Sequence, residues 1–208
     1  MGSATSNPVT LYLASASPRR AELLEQIGIR PDKISGVDAD ESLLGGEVPR
    51  DAVKRLARIK ADAASGEAFD LTLTADTVVA CGRRILGKPL DEADARKMLG
   101  LLSGRRHKVL TAIVLTARDG KRTERCVETR VSFKRLSSRE LNAYLLSGEW
   151  EGKAGAYAIQ GMADAFVKAI EGSYSNVVGL PLHETKKLLE GAGYPVYADH
   201  SIQEATRE

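Results

Sequence analysis

Residues 11–20 read Leu-Tyr-Leu-Ala-Ser-Ala-Ser-Pro-Arg-Arg, and this stretch decides how the chain begins to fold. Its first three residues, 11–13, form a short apolar run that is typical of a buried strand. Ser17 fits the N-cap of a following helix and Pro18 fits the first helical position, while Gly28 is the expected helix stop. The stretch therefore predicts a strand, a tight serine-rich turn and a helix N-terminus.

That helix N-terminus would suit an anion, because its first backbone N–H groups are unpaired and carry a partial positive charge. Arg19 and Arg20 lie in the first turn, where the helix dipole disfavours cations by up to about 1 kcal/mol unless an anion is bound. With the hydroxyls of Ser15 and Ser17, they resemble a phosphate cradle. A capped helix with two solvated arginines explains the same residues equally well.

Composition and charge are those of an ordinary folded protein. The 208 residues suffice for one large domain or two intimate lobes, and a net charge of +2 is too balanced to favour nucleic-acid binding. Cys81 and Cys126 form neither a disulfide framework nor a metal-ligand spacing, which favours a reduced, cytoplasmic environment. The sequence predicts no signal peptide and no membrane span, and residues 1–8 and 198–208 are expected to fray.

A helix is predicted from Pro49 to about Ala64, with apolar residues repeating along one face. Lys60 projects into the middle of that face. Two explanations fit such a lysine: it snorkels along apolar surface, or it reaches into a functional site.

Residues 70–80 read as a strand on both sides of Asp76. A carboxylate inside a buried strand is costly unless it is paired, hydrogen-bonded or bound to metal, so a functional role is favoured over a turn at Asp76 and Thr77. A hairpin after this strand leads to Lys88. Because Pro89 keeps the preceding residue in extended backbone, Lys88 would be fixed at a strand exit.

The rest of the chain continues to alternate between strands and helices. His107 stands between basic residues at a strand start and is expected to be solvated, and residues 172–176 are expected to form a polar turn. A long hairpin in the middle predicts an α/β fold with a mixed, twisted sheet and flanking helices. The further predicted helices cover 92–102, 138–146 and 181–191. The further predicted strands cover 85–86, 107–117 and 166–170, and the hairpin partner of 107–117 ends at 133.

Several cations lie at the ends of elements or on inward faces, and two carboxylates accompany them. The acidic loop that holds Glu41 would by itself read as solvated, and residues 150–161 are rich in glycine and alanine, which lets a backbone approach a ligand closely. A site of fixed cations with one or two acids suits a polyphosphate with a divalent metal. The cations are Arg19, Arg20, Lys60, Lys88 and Lys153, and the acids are Glu41 and Asp76.

The sequence resembles the Maf nucleotide pyrophosphatases, which share a superfamily with the inosine triphosphate pyrophosphatases. Strings in family order carry the resemblance: LASASPRRAELL (13–24), DADE (38–41), RLARIKA (55–61), TADTVV (74–79), GKPLDEADA (87–95), KAGAYAIQG (153–161) and GSYSNVVGLPL (172–182). The resemblance implies one Maf-like domain over residues 1–208, with two lobes around a cleft. It also implies hydrolysis of nucleoside triphosphates to monophosphate and pyrophosphate with Mg²⁺ or Mn²⁺, and pairing as a homodimer in many members.

The resemblance assigns roles to individual residues. Asp76 would be the proton acceptor, with Glu41, Lys60 and Lys88 lining the catalytic cleft, and we expect Asp76 and Glu41 to hold the metal. The phosphate-binding residues would be Ser15, Ser17, Arg19 and Arg20, and we expect Lys153 to neutralise charge beside them.

Three positions track base preference in this family, and here they are Arg19, Thr77 and Gln160. This combination resembles the branch that hydrolyses dTTP and UTP. The chain departs from the family at Ile59, where many members have Glu, and in an acidic loop that is one residue longer. Both departures concern the detailed geometry of the metal.

Two other functions are compatible with these residues. One is a nucleotide-binding regulator of cell division without catalysis, and the other is a pyrophosphatase that removes purine triphosphates such as ITP and XTP. An RNA-binding module is less compatible, because no basic sheet surface rich in aromatic residues is evident.

Overall fold

A computed structural model describes residues 9–197, so the expected fraying of residues 1–8 and 198–208 lies outside the described residues. The opening strand, turn and helix follow the prediction: β1 spans Leu11–Ala14 and α1 spans Pro18–Gln26. Ser17 occupies the N-cap position, although its side chain makes no capping hydrogen bond to the described residues.

The next elements build the central strand and the helix that covers it. Helix α2 spans Pro49–Ala63, β3 spans Leu71–Cys81 and β4 spans Arg84–Leu86. Strand β3 runs without interruption through Asp76, which excludes the alternative of a turn there. The remaining strands and α-helices are β2 (Lys33–Ser35), α3 (Glu92–Leu102), β5 (Arg106–Ala117), β6 (Arg122–Phe133), α4 (Ser138–Leu146), β7 (Val167–Glu171), α5 (Tyr174–Val178) and α6 (Leu182–Gly191), and short 3-10 helices lie at Ala154–Ala156 and Met162–Phe166.

All seven strands join one sheet in the order β2-β1-β3-β5-β6-β7, with β4 also paired to β3. Strand β1 runs parallel to both β2 and β3, and the other pairs are antiparallel. The predicted mixed sheet with flanking helices is therefore confirmed.

Strand β3 has an open stretch along one edge. Strand β5 pairs with residues 71–80 along one side of β3. On the opposite side, β1 pairs with residues 71–73 and β4 with residues 79–81. Between these two partners, residues 74–78 have no neighbouring strand on this side of β3 among the described residues. We call this interval the β3 gap.

The two faces of β3 pack against different elements, because successive residues of a strand point to opposite sides. On one face, Val78 and Ala80 pack against Val53 and Leu56 of α2. On the other face, Leu73 and its alternate neighbours join the larger core formed with α1, α3 and α4. Asp76 belongs to the α2 face and Thr77 to the opposite face.

Two elements differ from the sequence-based expectation. Strand β2 was not predicted, because only three residues take part and they show no strand pattern of their own. Residues 174–178 form a short helix instead of continuing a polar turn, since the Ser173 hydroxyl accepts a hydrogen bond from the Asn176 N–H at 3.2 Å. Asn176 is fully buried there.

His107 is buried, so the expectation that it is solvated is wrong. His107 and Val109 are two positions apart and therefore share the inward face of β5, while Arg106 and Lys108 point to the other face. Its Nε2 lies 2.9 Å from the Tyr157 hydroxyl, and its ring packs edge-on against Phe133. Because burial penalises the charged imidazolium, the pKa of His107 falls to about 4.

The buried imidazole predicts a loss of stability in acid. Below pH 6.5 the unfolded chain takes up a proton on His107 that the folded chain refuses until about pH 4. The stabilisation is complete above pH 6.5 and disappears as the pH falls towards 4, by up to about 3 kcal/mol in the free energy of unfolding. Urea unfolding across this range should show a shallower pH dependence in His107→Gln. Equal slopes in the two proteins would contradict the prediction.

Within residues 9–197, no helix combines the length and the apolar character that crossing a bilayer requires.

Candidate active site

A cavity of about 710 Å³ opens at the β3 gap. It is bordered by the turn after β1, the start of α1, the acidic loop, the exit of β4 and the glycine-rich segment around residues 151–160. Every site residue expected from the sequence lines it: Ser15, Ser17, Arg19, Arg20, Glu41, Lys60, Asp76, Thr77, Lys88, Lys153 and Gln160.

Lys60 binds two carboxylates of the cavity, those of Asp76 and Glu41. Its Nζ lies 2.5 Å from Asp76 Oδ1 and 3.0 Å from Glu41 Oε1, and Lys88 Nζ donates to the other Glu41 oxygen at 3.1 Å. Asp76 is 5% exposed, so its charge requires such a partner. Lys60 therefore reaches from α2 into the site, and the alternative of a lysine that only snorkels is excluded.

Glu41 is held as a carboxylate by these lysines. Partial burial alone would raise its pKa, but the hydrogen bonds and charges of Lys60 and Lys88 outweigh that effect, and the pKa of Glu41 is lowered. The loop that carries Glu41 has no helix or strand; these ion pairs attach it to the cleft, and Arg55 of α2 also holds it through Ser42 and Glu47.

Arg20 is buried and is bound by the protein on three sides. Its Nε donates to the Gly179 carbonyl at 2.9 Å, and its terminal nitrogens donate to Ser15 Oγ at 3.0 Å and to Thr77 Oγ1 at 3.3 Å. Desolvation lowers the pKa of Arg20, and the charge of Asp76 opposes that shift. The alternative of two solvated arginines is therefore excluded for Arg20, which is a fixed positive charge in the cavity wall.

Arg19 and Lys153 bring further positive charge to the same wall. Burial lowers the pKa of both side chains, and the positive charge of Arg19 lowers that of Lys153 further. The ammonium of Lys153 donates to the Glu151 carbonyl at 3.1 Å. Cations that destabilise each other in this way are relieved by an anion, so the wall suits a phosphate chain.

The serine-rich turn is shaped by its own hydrogen bonds. Ser15 Oγ accepts from the Ser17 N–H at 3.2 Å as well as from Arg20. A side chain at Gly36 would come within 2.9 Å of the Ala16 Cβ, so glycine is required for the chain to pass behind this turn. Gln160, by contrast, is exposed at the cavity margin.

Sequence reasoning missed two contributors to the site. The carbonyl of Gly179, 159 positions away in the sequence, accepts a hydrogen bond from Arg20 and orients it. The only local signal for this residue is a glycine before Leu-Pro. Its backbone φ of 131° explains why glycine stands there. Thr111 is buried beneath Thr77. Its signal is a hydroxyl within residues 109–115 of β5, which are otherwise apolar.

The cavity offers a divalent metal few ligands of its own. No group of three or more His, Cys, Asp or Glu side chains is placed to hold a metal within residues 9–197. Mg²⁺ is nonetheless commonly bound by one or two carboxylates together with substrate phosphates. Asp76 and Glu41, which share Lys60, are oxygen donors of this kind, so the residues fit a metal that arrives with the substrate.

Comparison with known proteins shows which family the chain belongs to. The family model of Maf-like proteins matches residues 10–192. A protein of Sphingopyxis alaskensis named dTTP/UTP pyrophosphatase is 55% identical over 186 residues, 89% of this chain and 98% of the relative. One of the same name from Paramagnetospirillum magneticum is 57% identical over 187 residues, covering 88% and 97%.

Among solved structures, the Ham1 protein of Staphylococcus aureus superposes with a TM-score of 0.42 and 17% identity, over 60% of this chain and 71% of that one. The family model extends over nearly all of the described residues, and each of the two relatives aligns with almost nine tenths of the chain. This chain belongs to the Maf family.

Proposed function

We propose that this protein hydrolyses nucleoside triphosphates, with dTTP and UTP as substrates, to the nucleoside monophosphate and pyrophosphate. The observation that supports it most is the cavity in which Lys60 joins Asp76 and Glu41 and which Arg19, Arg20 and Lys153 also line. The names of the relatives, which are more than half identical over about nine tenths of the chain, supply the substrate class.

The chain's own residues divide the work between binding and chemistry. Arg19, Arg20 and Lys153 neutralise the phosphates from one wall, and Lys88 does so from the exit of β4. Phosphoryl transfer depends mainly on positioning and electrostatic stabilisation, so fixed cations suit this reaction. Ser15 and Ser17 complete the phosphate-binding turn.

Asp76 orients the attacking water and accepts its proton. The water oxygen bonds to the α-phosphorus, and the bond from that phosphorus to the bridging oxygen breaks, so pyrophosphate leaves. Lys60 holds the Asp76 carboxylate in place through the 2.5 Å contact. Burial of Asp76 keeps bulk water away from the acceptor oxygen.

The metal belongs to this proposal as well. When bound, Mg²⁺ or Mn²⁺ supplies neutralisation of charge on the triphosphate, and Asp76 and Glu41 are the residues that would hold it. To bind the metal, Asp76 and Glu41 would each give up part of their contact with Lys60. Gln160 and Thr77 are the proposed contacts for the nucleoside. The amide of Gln160 can both donate hydrogen bonds to a pyrimidine edge and accept them from it.

A panel of triphosphates tests the proposed function. The full chain is incubated with dTTP, UTP, CTP, ATP, GTP, ITP and XTP, and monophosphate and pyrophosphate are separated by ion-exchange chromatography. We expect dTTP and UTP to give equal amounts of the two products with Mg²⁺ or Mn²⁺, and none after chelation. Binding without turnover would indicate a regulator, and turnover confined to ITP and XTP would indicate a purine-specific enzyme.

We propose that the protein acts in the cytoplasm, where Cys81 and Cys126 would stay as the free thiols they are here. Its proposed partners are the substrate triphosphates, and neither nucleic acid nor membrane is among them. The chain would act as one two-lobed unit that pairs as a homodimer, which light scattering of the purified protein measures.

A further inference from the structure

A chain of hydroxyl groups lies behind Thr77. Thr77 and Thr111 are direct neighbours across β3 and β5, and their Oγ1 atoms are 2.9 Å apart. Thr111 Oγ1 is also 3.0 Å from the Asn176 carbonyl, and Arg20 approaches Thr77 Oγ1 from the other side at 3.3 Å.

These contacts fix the direction of every hydrogen bond in the chain. A carbonyl only accepts, so the single hydroxyl proton of Thr111 is used on Asn176. Thr111 must then accept from Thr77, which uses the single hydroxyl proton of Thr77. A guanidinium only donates, so Arg20 occupies one of the two lone pairs of Thr77 Oγ1. What remains on Thr77 is one lone pair.

The surroundings hold this arrangement rigidly. The Asn176 side chain donates to the Val109 carbonyl at 3.1 Å and to Thr129 Oγ1 at 2.9 Å, so the carbonyl that receives the Thr111 proton is fixed to the sheet. Thr111 is fully buried and does not line the cavity, whereas Thr77 is partly exposed and lines it.

We infer that Thr111 is a positioning residue that makes Thr77 a hydrogen-bond acceptor in the cavity, so that Thr77 selects nucleotides that present a hydrogen-bond donor to it, at N3 of the base or at a sugar hydroxyl. The inference rests on the proposed function and adds a residue that sets its specificity. A donor is present as N3–H in uracil and thymine, whereas cytosine has an unprotonated N3 that would face the lone pair of Thr77 without a proton between them. A sugar hydroxyl offers the same donor chemistry.

The test compares Thr111→Val with Thr111→Ser. Valine matches the shape of threonine but releases the Thr77 proton, which can then turn towards the cavity and donate to N3 of cytosine. Serine keeps the hydroxyl and the direction of the chain. The values of kcat/KM are measured for UTP, CTP and 3′-deoxy-UTP with each protein.

We expect wild type and T111S to prefer UTP over CTP to a similar extent, and T111V to lose about tenfold of that preference. If the preference for UTP over 3′-deoxy-UTP falls instead, the donor is the sugar hydroxyl and the acceptor role of Thr77 still holds. Unchanged ratios in T111V, or an equal loss for all three nucleotides, would overturn the inference. A wild-type protein that hydrolyses neither UTP nor dTTP would instead refute the proposed function.

If T111V does not fold, the same nucleotide preferences are measured for Thr77→Val and Thr77→Ser and compared. T77V removes the acceptor and should lose the preference for the donor-bearing nucleotide, whereas T77S should retain it. Equal preference in T77V and T77S would overturn the inference.

Discussion

Asp76→Asn should lower kcat for dTTP by roughly a thousandfold or more, because an amide can neither accept the proton of the attacking water nor neutralise a metal as a carboxylate does. The fold should survive, since asparagine has the same shape and its oxygen can still accept from Lys60. The measurement is kcat from pyrophosphate release, with the melting temperature followed by circular dichroism.

The matched control is Asp62→Asn. Asp62 undergoes the same chemical change on α2, but its carboxylate pairs with Arg122 at the surface and does not line the cavity. Such an exposed pair contributes little to stability, so D62N should retain wild-type kcat. If D76N kept a tenth or more of wild-type turnover with an unchanged melting temperature, Asp76 would not be the proton acceptor.

Lys60→Met should lower kcat for dTTP about a hundredfold, because the ammonium that fixes Asp76 and Glu41 is removed while its apolar stem is replaced. The two carboxylates would then be free for a cation. We therefore expect Mn²⁺ to bind the nucleotide-free variant more tightly than wild type, as followed by electron paramagnetic resonance of free Mn²⁺.

Lys54→Met provides the comparison, since Lys54 lies on the same helix and does not line the cavity. Both kcat and Mn²⁺ affinity should be unchanged in K54M. The combination expected of K60M, slower turnover with tighter metal binding, separates the proposed role from simple loss of structure, which would weaken both. Weaker Mn²⁺ binding in folded K60M would contradict the idea that Lys60 and the metal share the same oxygens.

Much of the fold could be predicted because local signals agree with the tertiary structure. Helix α3 begins after Asp91, whose side chain accepts from the Asp94 N–H as an N-cap should, and α4 begins with a full capping box at Ser137. Strand β3 was evident from its branched and apolar residues. The three-residue β2 and the one-turn α5 were missed because such short elements depend on their neighbours more than on their own pattern.

His107 shows how a local pattern can mislead. Its neighbours along the chain, Arg106 and Lys108, favoured a solvated position, whereas alternation along β5 places it inside. The partner that makes its burial tolerable, Tyr157, lies 50 positions later in a segment without regular repeat. Only the three-dimensional fold brings the two together.

The composition of the candidate site could be anticipated, but its internal contacts could not. Cations on inward faces and one acid in a buried strand are unusual enough to attract attention one at a time. That Lys60 joins both acids, and that Arg20 is committed to Gly179 and Thr77, are consequences of long-range packing. The resemblance to a family supplied the roles of these residues, and the geometry supplies the reasons for testing them.

The β3 gap has a consequence for how such a protein can diversify. Because residues 74–78 of β3 lack a neighbouring strand on the side opposite β5, side chains from both faces of β3 line the same cavity. Asp76 and Thr77 are adjacent in sequence, yet in the proposed function Asp76 takes part in hydrolysis and Thr77 in recognition of the nucleoside. Substitutions on the Thr77 face of β3 could therefore change which nucleotide binds without altering the residues proposed for hydrolysis. Inserting a single residue into β3 would instead move each following side chain to the opposite face, so both nucleotide recognition and hydrolysis would be lost.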